Sequence, residues 1–214
     1  MTTFLKSRQL YEASILAYQG EQLYLEENKG QMTSDTPFAI ASISKLYTDA
    51  IVFQLIDQGK LTYDTGLTDI LPPEVTKHLP QTEQVTVRHL LDQISGFPNY
   101  EMDRQMNGEV LIDDLYKADR RGPFEEALEM IAELPAKSCL DGDKAYYADI
   151  NAMLLGKMAE SVTGLTAEQL LEHLICQPLQ LSQTHWATGH EKLAPLYNGQ
   201  RPIAFQAYLS SQVY

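Results

Sequence analysis

Basic residues are scarce in this chain. Sixteen Lys and Arg stand against 29 Asp and Glu, a net charge of −13 over 214 residues. That balance excludes a phosphate backbone and an anionic membrane surface as natural partners, since both repel an acidic protein. Cysteine is scarcer still. Cys139 and Cys176 are too few for a disulfide framework and read as reduced thiols. No run approaches the ~20 apolar residues of a membrane-spanning helix. The opening Met1-Thr2-Thr3-Phe4-Leu5-Lys6 lacks the basic start and continuous apolar stretch of a secretory leader. If Met1 is the native start, a cytoplasmic protein is expected. The five histidines, His78, His89, His173, His185 and His190, show no ligand spacing such as an i, i+4 pair, so no metal is expected. Internal repeats and low-complexity tracts are also missing.

What remains is ordinary globular material, 44% hydrophobic and 21% charged, enough for a sizeable core in one domain or two closely packed ones. Ser14–Tyr18 and Leu23–Glu26 flank Gln19-Gly20-Glu21-Gln22 and predict a β-hairpin. Residues 30–37 form a polar loop into a helix whose apolar residues Leu46, Ile51, Val52, Phe53, Leu55 and Ile56 surround most of its circumference, which predicts a buried central helix stopped at Gly59. Prolines break up residues 60–135, and Met102–Arg121 reads as a solvated flap beside a cleft. Two further helices follow. Ile150–Val162 ends at Gly164, and Ala167–Cys176 starts from a Thr166/Gln169 capping box and stops before Pro178. Beyond Trp186 the chain reads as extended.

One pair carries chemistry. Ser42 and Lys45 sit three residues apart at the start of the apolar helix, on one face and one turn apart. Burial would weaken the amine's preference for charge and let it take the hydroxyl proton, leaving a nucleophile. The spacing alone is weak, since roughly 0.5 such pairs arise by chance in a chain with this many Ser and Lys.

Its surroundings are more specific. Phe38-Ala39-Ile40-Ala41-Ser42-Ile43-Ser44-Lys45, then residues 85–98 (Val-Thr-Val-Arg-His-Leu-Leu-Asp-Gln-Ile-Ser-Gly-Phe-Pro), then Tyr146-Tyr147-Ala148-Asp149-Ile150-Asn151 with Leu154-Leu155-Gly156 and Val162-Thr163-Gly164, and more weakly Pro178-Leu179-Gln180-Leu181 and Leu193–Tyr197, follow one another with compatible gaps. In these segments the chain resembles the serine hydrolases that include class C β-lactamases, D-alanyl-D-alanine carboxypeptidases and related esterases. The resemblance implies an α+β, β-lactamase/transpeptidase-like fold, with a helical domain beside an antiparallel sheet domain left incomplete in this chain. Residues 1–59 would start the sheet domain and carry the nucleophile helix. Residues 60–185 would be mainly helical, and 186–214 would lead back toward the sheet. It further implies acyl transfer without a cofactor: Ser42 as nucleophile, Lys45 as the amine that activates it, and Tyr147 as proton shuttle to the leaving group. Asp149, Asn151 and Tyr100 become candidates for contact with a small ester, amide or β-lactam-like substrate, while Gln93, Ser95 and Gly96 shape the wall. Tyr146, one residue off, is expected to pack in the core.

Two departures qualify the resemblance. The position of Asp149 is often an Asn, and an ionised Asp would hold Lys45 charged more firmly and can accept but not donate a hydrogen bond, which favours esters over β-lactams. The family's third motif, Lys-Thr-Gly or His-x-Gly, occurs nowhere in the chain, nor does Lys-Ser-Gly, and the match resembles roughly the first two-thirds of such an enzyme. A truncated, catalytically impaired relative serving as a binding module therefore competes with the enzyme reading. The uncovered hairpin is expected to drive self-association through its edge.

Overall fold

The computed structural model describes residues 4–8, 10–118, 120–137, 144–187, 192–198 and 201–203. Cys139, His190 and most of the tail expected after Trp186 lie outside these residues. The hairpin forms as β1 (Ala13–Gln19) and β2 (Gln22–Lys29), antiparallel and turning through Gly20 at φ 59°, where a residue without Cβ is at ease. A register slip at Ala17/Tyr18 interrupts the ladder, and no residue of either strand is fully buried.

A short 3-10 turn (Ala41–Ile43) opens directly into α1 (Ser44–Asp57), which ends at Gly59 with φ 71°. Its expected burial holds on one side only. Ile51, Val52 and Leu55 are buried, whereas Ile43, Leu46 and Phe53 are 57%, 66% and 44% exposed. Apolar residues surround α1, but the neighbouring helices cover one flank of it.

The helical body comprises α2 (Leu67–Ile70), α3 (Pro73–Thr76), α4 (Val87–Leu91), α5 (Leu111–Leu115), α6 (Phe124–Ala132), α7 (Asp149–Thr163) and α8 (Ala167–Leu171), of which α7 and α8 pack on α1. α7 is the axis of the core. Ile150, Met153, Leu154 and Met158 are wholly inaccessible and pack with Val52, Leu55, Leu90, Phe97 and Ile131 in one cluster. Each such side chain contributes about 1.5–3 kcal/mol of burial. Gly164 at φ 73° ends α7, and the capping box of Thr166 and Gln169 starts α8.

Two expectations need correction. The helix after Thr166 does not stop before Pro178: α8 widens into a π turn at Glu172–Cys176 and continues as α9 (Gln177–Leu179). Proline offers no N–H to Leu174 O, and Gln54 Nε2 of α1 donates to that carbonyl instead, at 3.2 Å. Nor is Met102–Arg121 simply a solvated flap, because α5 anchors it through buried Leu111 and Leu115.

Near the end of the described chain β3 (Leu196–Asn198) pairs with β4 (Arg201–Ile203). Ala194 N donates to Pro37 O at 2.7 Å and the Tyr197 ring stacks on Tyr11 at 4.9 Å, so this segment returns beside both the hairpin and the loop into Ser42. No helix among the described residues is long and apolar enough to cross a membrane.

Candidate active site

Local backbone places the nucleophile candidate. Ala41 adopts φ 46°, a left-handed conformation that costs a residue with a Cβ about 1–2 kcal/mol. The kink is braced by Ser44, whose Oγ donates to Ala41 O at 2.6 Å. The tight turn that follows brings residues three apart over one another, and Lys45 Nζ donates to Ser42 Oγ at 3.2 Å. Ser42 is exposed at the start of the helix, where unpaired N–H groups and the helix field favour an oxyanion.

The second and third sequence motifs join through Gln93, itself left-handed at φ 58°. Its carbonyl accepts from Tyr146 N (2.8 Å), and its Oε1 accepts from Ala148 N (2.9 Å) and Asn151 Nδ2 (2.7 Å). Ser95 Oγ donates to Asn151 Oδ1 (2.7 Å). The strip on either side of Tyr147 is thereby pinned, and Tyr147 Oη comes within 3.0 Å of Ser42 Oγ and 3.0 Å of Asp149 Oδ1. Lys45 Nζ pairs with Asp149 Oδ1 at 2.7 Å and lies 5.3 Å from the centroid of the Tyr147 ring. Four of the six residues singled out in the sequence, Ser42, Lys45, Tyr147 and Asp149, therefore meet in one constellation.

The other two do not join it. Tyr100 is 2% exposed and sits in the core, its hydroxyl near Glu101 Oε1 and Met153 Sδ, so it lines no open cleft. Asn151 is inaccessible, and both ends of its amide are spent on Gln93 and Ser95. It holds the site together and has nothing to offer a substrate. Gln93 and Ser95 act as clamps rather than as wall. Tyr146 points away from Ser42, but into a polar cluster rather than the core: its hydroxyl donates to Asp103, and Lys137 Nζ lies 4.6 Å from the centroid of its ring.

Two residues escaped the sequence reading. Asn99, 2% exposed, donates from Nδ2 to Asp149 Oδ2 (3.1 Å) and to Tyr147 O (3.2 Å), while its Oδ1 accepts from Glu101 N and Met102 N. Asp103 accepts from Asn99 N (2.9 Å), pairs with Lys137 (2.9 Å) and takes the Tyr146 hydroxyl proton. An Asn just after Pro98 with an Asp four residues on is the mark of a side-chain-closed turn, and that was the available signal.

The electrostatics follow the expectation that Asp149 holds Lys45 charged, and depart from the expectation that burial frees the amine. Burial works against a charge on Lys45. The Asp149 carboxylate, by charge and hydrogen bond and with help from Tyr147, outweighs it and holds the amine above its ordinary pKa. Lys45 is thus stabilised as ammonium rather than freed as a base. Burial likewise opposes ionisation of Asp103, but bonds from Tyr146, Lys137 and the Asn99 amide, with the Lys137 charge, hold it below the usual carboxylate range. On another face of α1 lies a cavity of about 810 Å³ lined by Phe38, Tyr47, Ile51, Leu170 and Trp186 among others. It includes none of Ser42, Lys45 or Tyr147, so the chemistry rests on the constellation and not on that cavity.

Comparison with known proteins agrees with this architecture. The sequence profile of the Beta-lactamase family matches residues 1–210. Penicillin-binding protein 4 of Amycolatopsis lactamdurans is 27% identical over 153 residues, 72% of this chain and 37% of that protein. The octameric penicillin-binding protein homologue from Pyrococcus abyssi superposes with a TM-score of 0.70 at 25% identity, over 91% of this chain and 46% of that one. EstCE1, a hydrolase with promiscuous acyltransferase activity, superposes with a TM-score of 0.68 at 23% identity, over 91% and 54%, and speaks for the fold alone. The chain spans about two-fifths of the length of the curated relatives it matches. With a match over almost its whole length, the chain belongs to the Beta-lactamase family.

Proposed function

We propose that this chain is a serine hydrolase that forms an acyl-enzyme on Ser42 from small esters or amides. The observation that carries the reading is the convergence of Lys45 Nζ and Tyr147 Oη on one exposed hydroxyl, at 3.2 and 3.0 Å. Ser42 Oγ attacks the carbonyl carbon as its proton leaves toward Tyr147. The Lys45 ammonium steadies the negative charge, the tetrahedral intermediate expels the alcohol or amine, and water releases the acid by the reverse path. No cofactor enters this sequence.

Asp149 shapes the choice of substrate. Its oxygens are occupied by Lys45, Tyr147 and Asn99, and a carboxylate has no proton to give a lactam or peptide carbonyl. Small aryl esters, which need the least help with the leaving group, are therefore the preferred class over cephalosporins. Side-by-side kinetics test this: ester turnover that exceeds cephalosporin turnover and is lost in Ser42→Ala supports it, and a faster cephalosporin rate sinks it. A folded protein with no turnover of either class would favour the binding-module reading.

Self-association belongs to the same proposal. The hairpin presents Leu16, Tyr18, Leu23 and Tyr24 at 41–80% exposure along a ladder that has two strands among the described residues, a surface that seeks a partner strand. A cytoplasmic setting, and the division at residues 59 and 185, complete the proposal.

A further inference from the structure

Asp149 is the feature the reaction above leaves without a part. Its carboxylate is 4% exposed, at the first residue of α7, and reaches the phenol of Tyr147 at 3.0 Å. A phenol has one proton and a carboxylate can only accept, so the Tyr147 proton belongs on the Asp149 side. Once that proton is held by Asp149, the 3.0 Å contact between Tyr147 Oη and Ser42 Oγ has only the Ser42 hydroxyl proton to serve it, and Ser42 becomes its donor. The chain of donors is directional: Ser42 Oγ to Tyr147 Oη to Asp149 Oδ1. Lys45 sits beside both ends of it, 3.2 Å from Ser42 Oγ and 2.7 Å from Asp149 Oδ1.

Building on the serine-hydrolase reading, we propose that Asp149 is the terminal acceptor of the Ser42 proton, with Tyr147 as relay and Lys45 as a fixed ammonium rather than the base. As the Oγ–C bond forms and the carbonyl electron pair moves to oxygen, the Ser42 proton passes to Tyr147 Oη and the phenol proton to Asp149 Oδ1. Collapse of the intermediate breaks the bond to the leaving alcohol or amine. That group takes the proton back from Tyr147 while Asp149 returns its own to the phenol. Negative charge travels from Asp149 to the substrate oxygen and back, and the Lys45 ammonium neighbours both the carboxylate and the attacking oxygen. The charged and titratable groups around the relay are Lys45 and Asp49 from α1, Tyr147 itself, and Asp103 behind the neutral Asn99 amide. Asp49 faces Lys45, not Asp149, in the interactions that set its ionisation. Asn99 Nδ2 holds Asp149 Oδ2 and leaves Oδ1 aimed at the phenol. The raised affinity of Lys45 for its proton is in keeping with this role.

The test is Asp149→Asn, followed by the rate at which a fluorophosphonate adds to Ser42, read by intact mass across pH. The relay predicts a loss on the order of 100-fold at neutral pH, the usual worth of a positioned proton acceptor. It also predicts a rate that climbs with pH, because loss of the carboxylate removes the main support for charge on Lys45, so that burial pulls its pKa down and turns it into a substitute base. If Lys45 were already the base, the same change would speed the reaction at neutral pH, since more of the amine would be neutral. An equal or faster rate in Asp149→Asn overturns the relay and leaves the hydrolase reading standing. A wild-type protein that forms no adduct overturns both. Should Asp149→Asn fail to fold, the wild-type profile decides. A level rate between neutral and mildly alkaline pH supports the relay, and a rate rising steadily toward the range of a lysine base overturns it.

Discussion

The N-terminal hairpin and the helical body obey different rules within one chain. The body closes around α7 with a run of side chains that exclude water entirely, whereas β1 and β2 contribute no fully buried residue. α1 stands between the two and shares both characters, one flank sealed and the other showing Ile43, Leu46 and Phe53. Among the described residues, the bonds seen to fix Lys45, Tyr147 and Asp149 come from α1, α7 and residues 93–99, and none of those comes from the hairpin. The site is thus held by the helical body.

The largest effect that would test this contrast is on stability. Leu154→Ala, at an inaccessible position of α7, should cost about 2–5 kcal/mol. Leu23→Ala, 43% exposed in β2, should change it by no more than ~0.5 kcal/mol. Urea denaturation compares them directly, and equal losses would erase the distinction.

Next comes the clamp. Gln93→Ala strands the Ala148 N–H and the Asn151 amide, each of which should cost about 1–3 kcal/mol. Ser42 labelling should slow on the order of tenfold or more as Tyr147 loses its position. Labelling at the wild-type rate would show that the site does not depend on this seam.

A smaller effect concerns association. Sedimentation at micromolar concentration should find assemblies that Leu23→Lys shifts toward monomer, because a charge on the hairpin opposes pairing. A cooperatively melting wild-type monomer would mean that the hairpin is content as it is.

The smallest is a pH effect. Asp103 has its folded pKa depressed, so its bonds to Tyr146, Lys137 and Asn99 add stability above the ordinary carboxylate pKa, and that stability drains away as pH falls through the depressed one. Asp103→Asn should be less stable than wild type at neutral pH and converge on it in acid. Parallel melting curves across that window would contradict the assignment.

Sequence alone reached the hairpin, α1, the stop at Gly164 and the capping box at Thr166, all of which are local signals carried by turn residues and periodicity. The family resemblance pointed to Ser42, Lys45, Tyr147 and Asp149, which the structure brings together, because motifs and their order survive in one dimension. It misplaced Tyr100 and Asn151, whose burial depends on partners some 50 residues away. It missed Asn99 and Asp103 for the same reason. The helix running through Pro178 was hidden too, since the carbonyl that proline orphans is satisfied by Gln54, 120 residues earlier in the chain. Lys45 shows both sides: the Asp149 carboxylate that holds it charged was legible from its motif position, but the 2.7 Å contact from another helix that outweighs burial was not.

The most direct measurement of the central claim is intact-mass spectrometry of the folded chain after exposure to a fluorophosphonate or a penicillin, with the adduct mapped by peptide. A single adduct on the peptide that contains Ser42, absent in Ser42→Ala and strongly slowed in Tyr147→Phe, is the predicted result. A folded, unmodified wild-type protein, or an adduct that persists in Ser42→Ala, would contradict it.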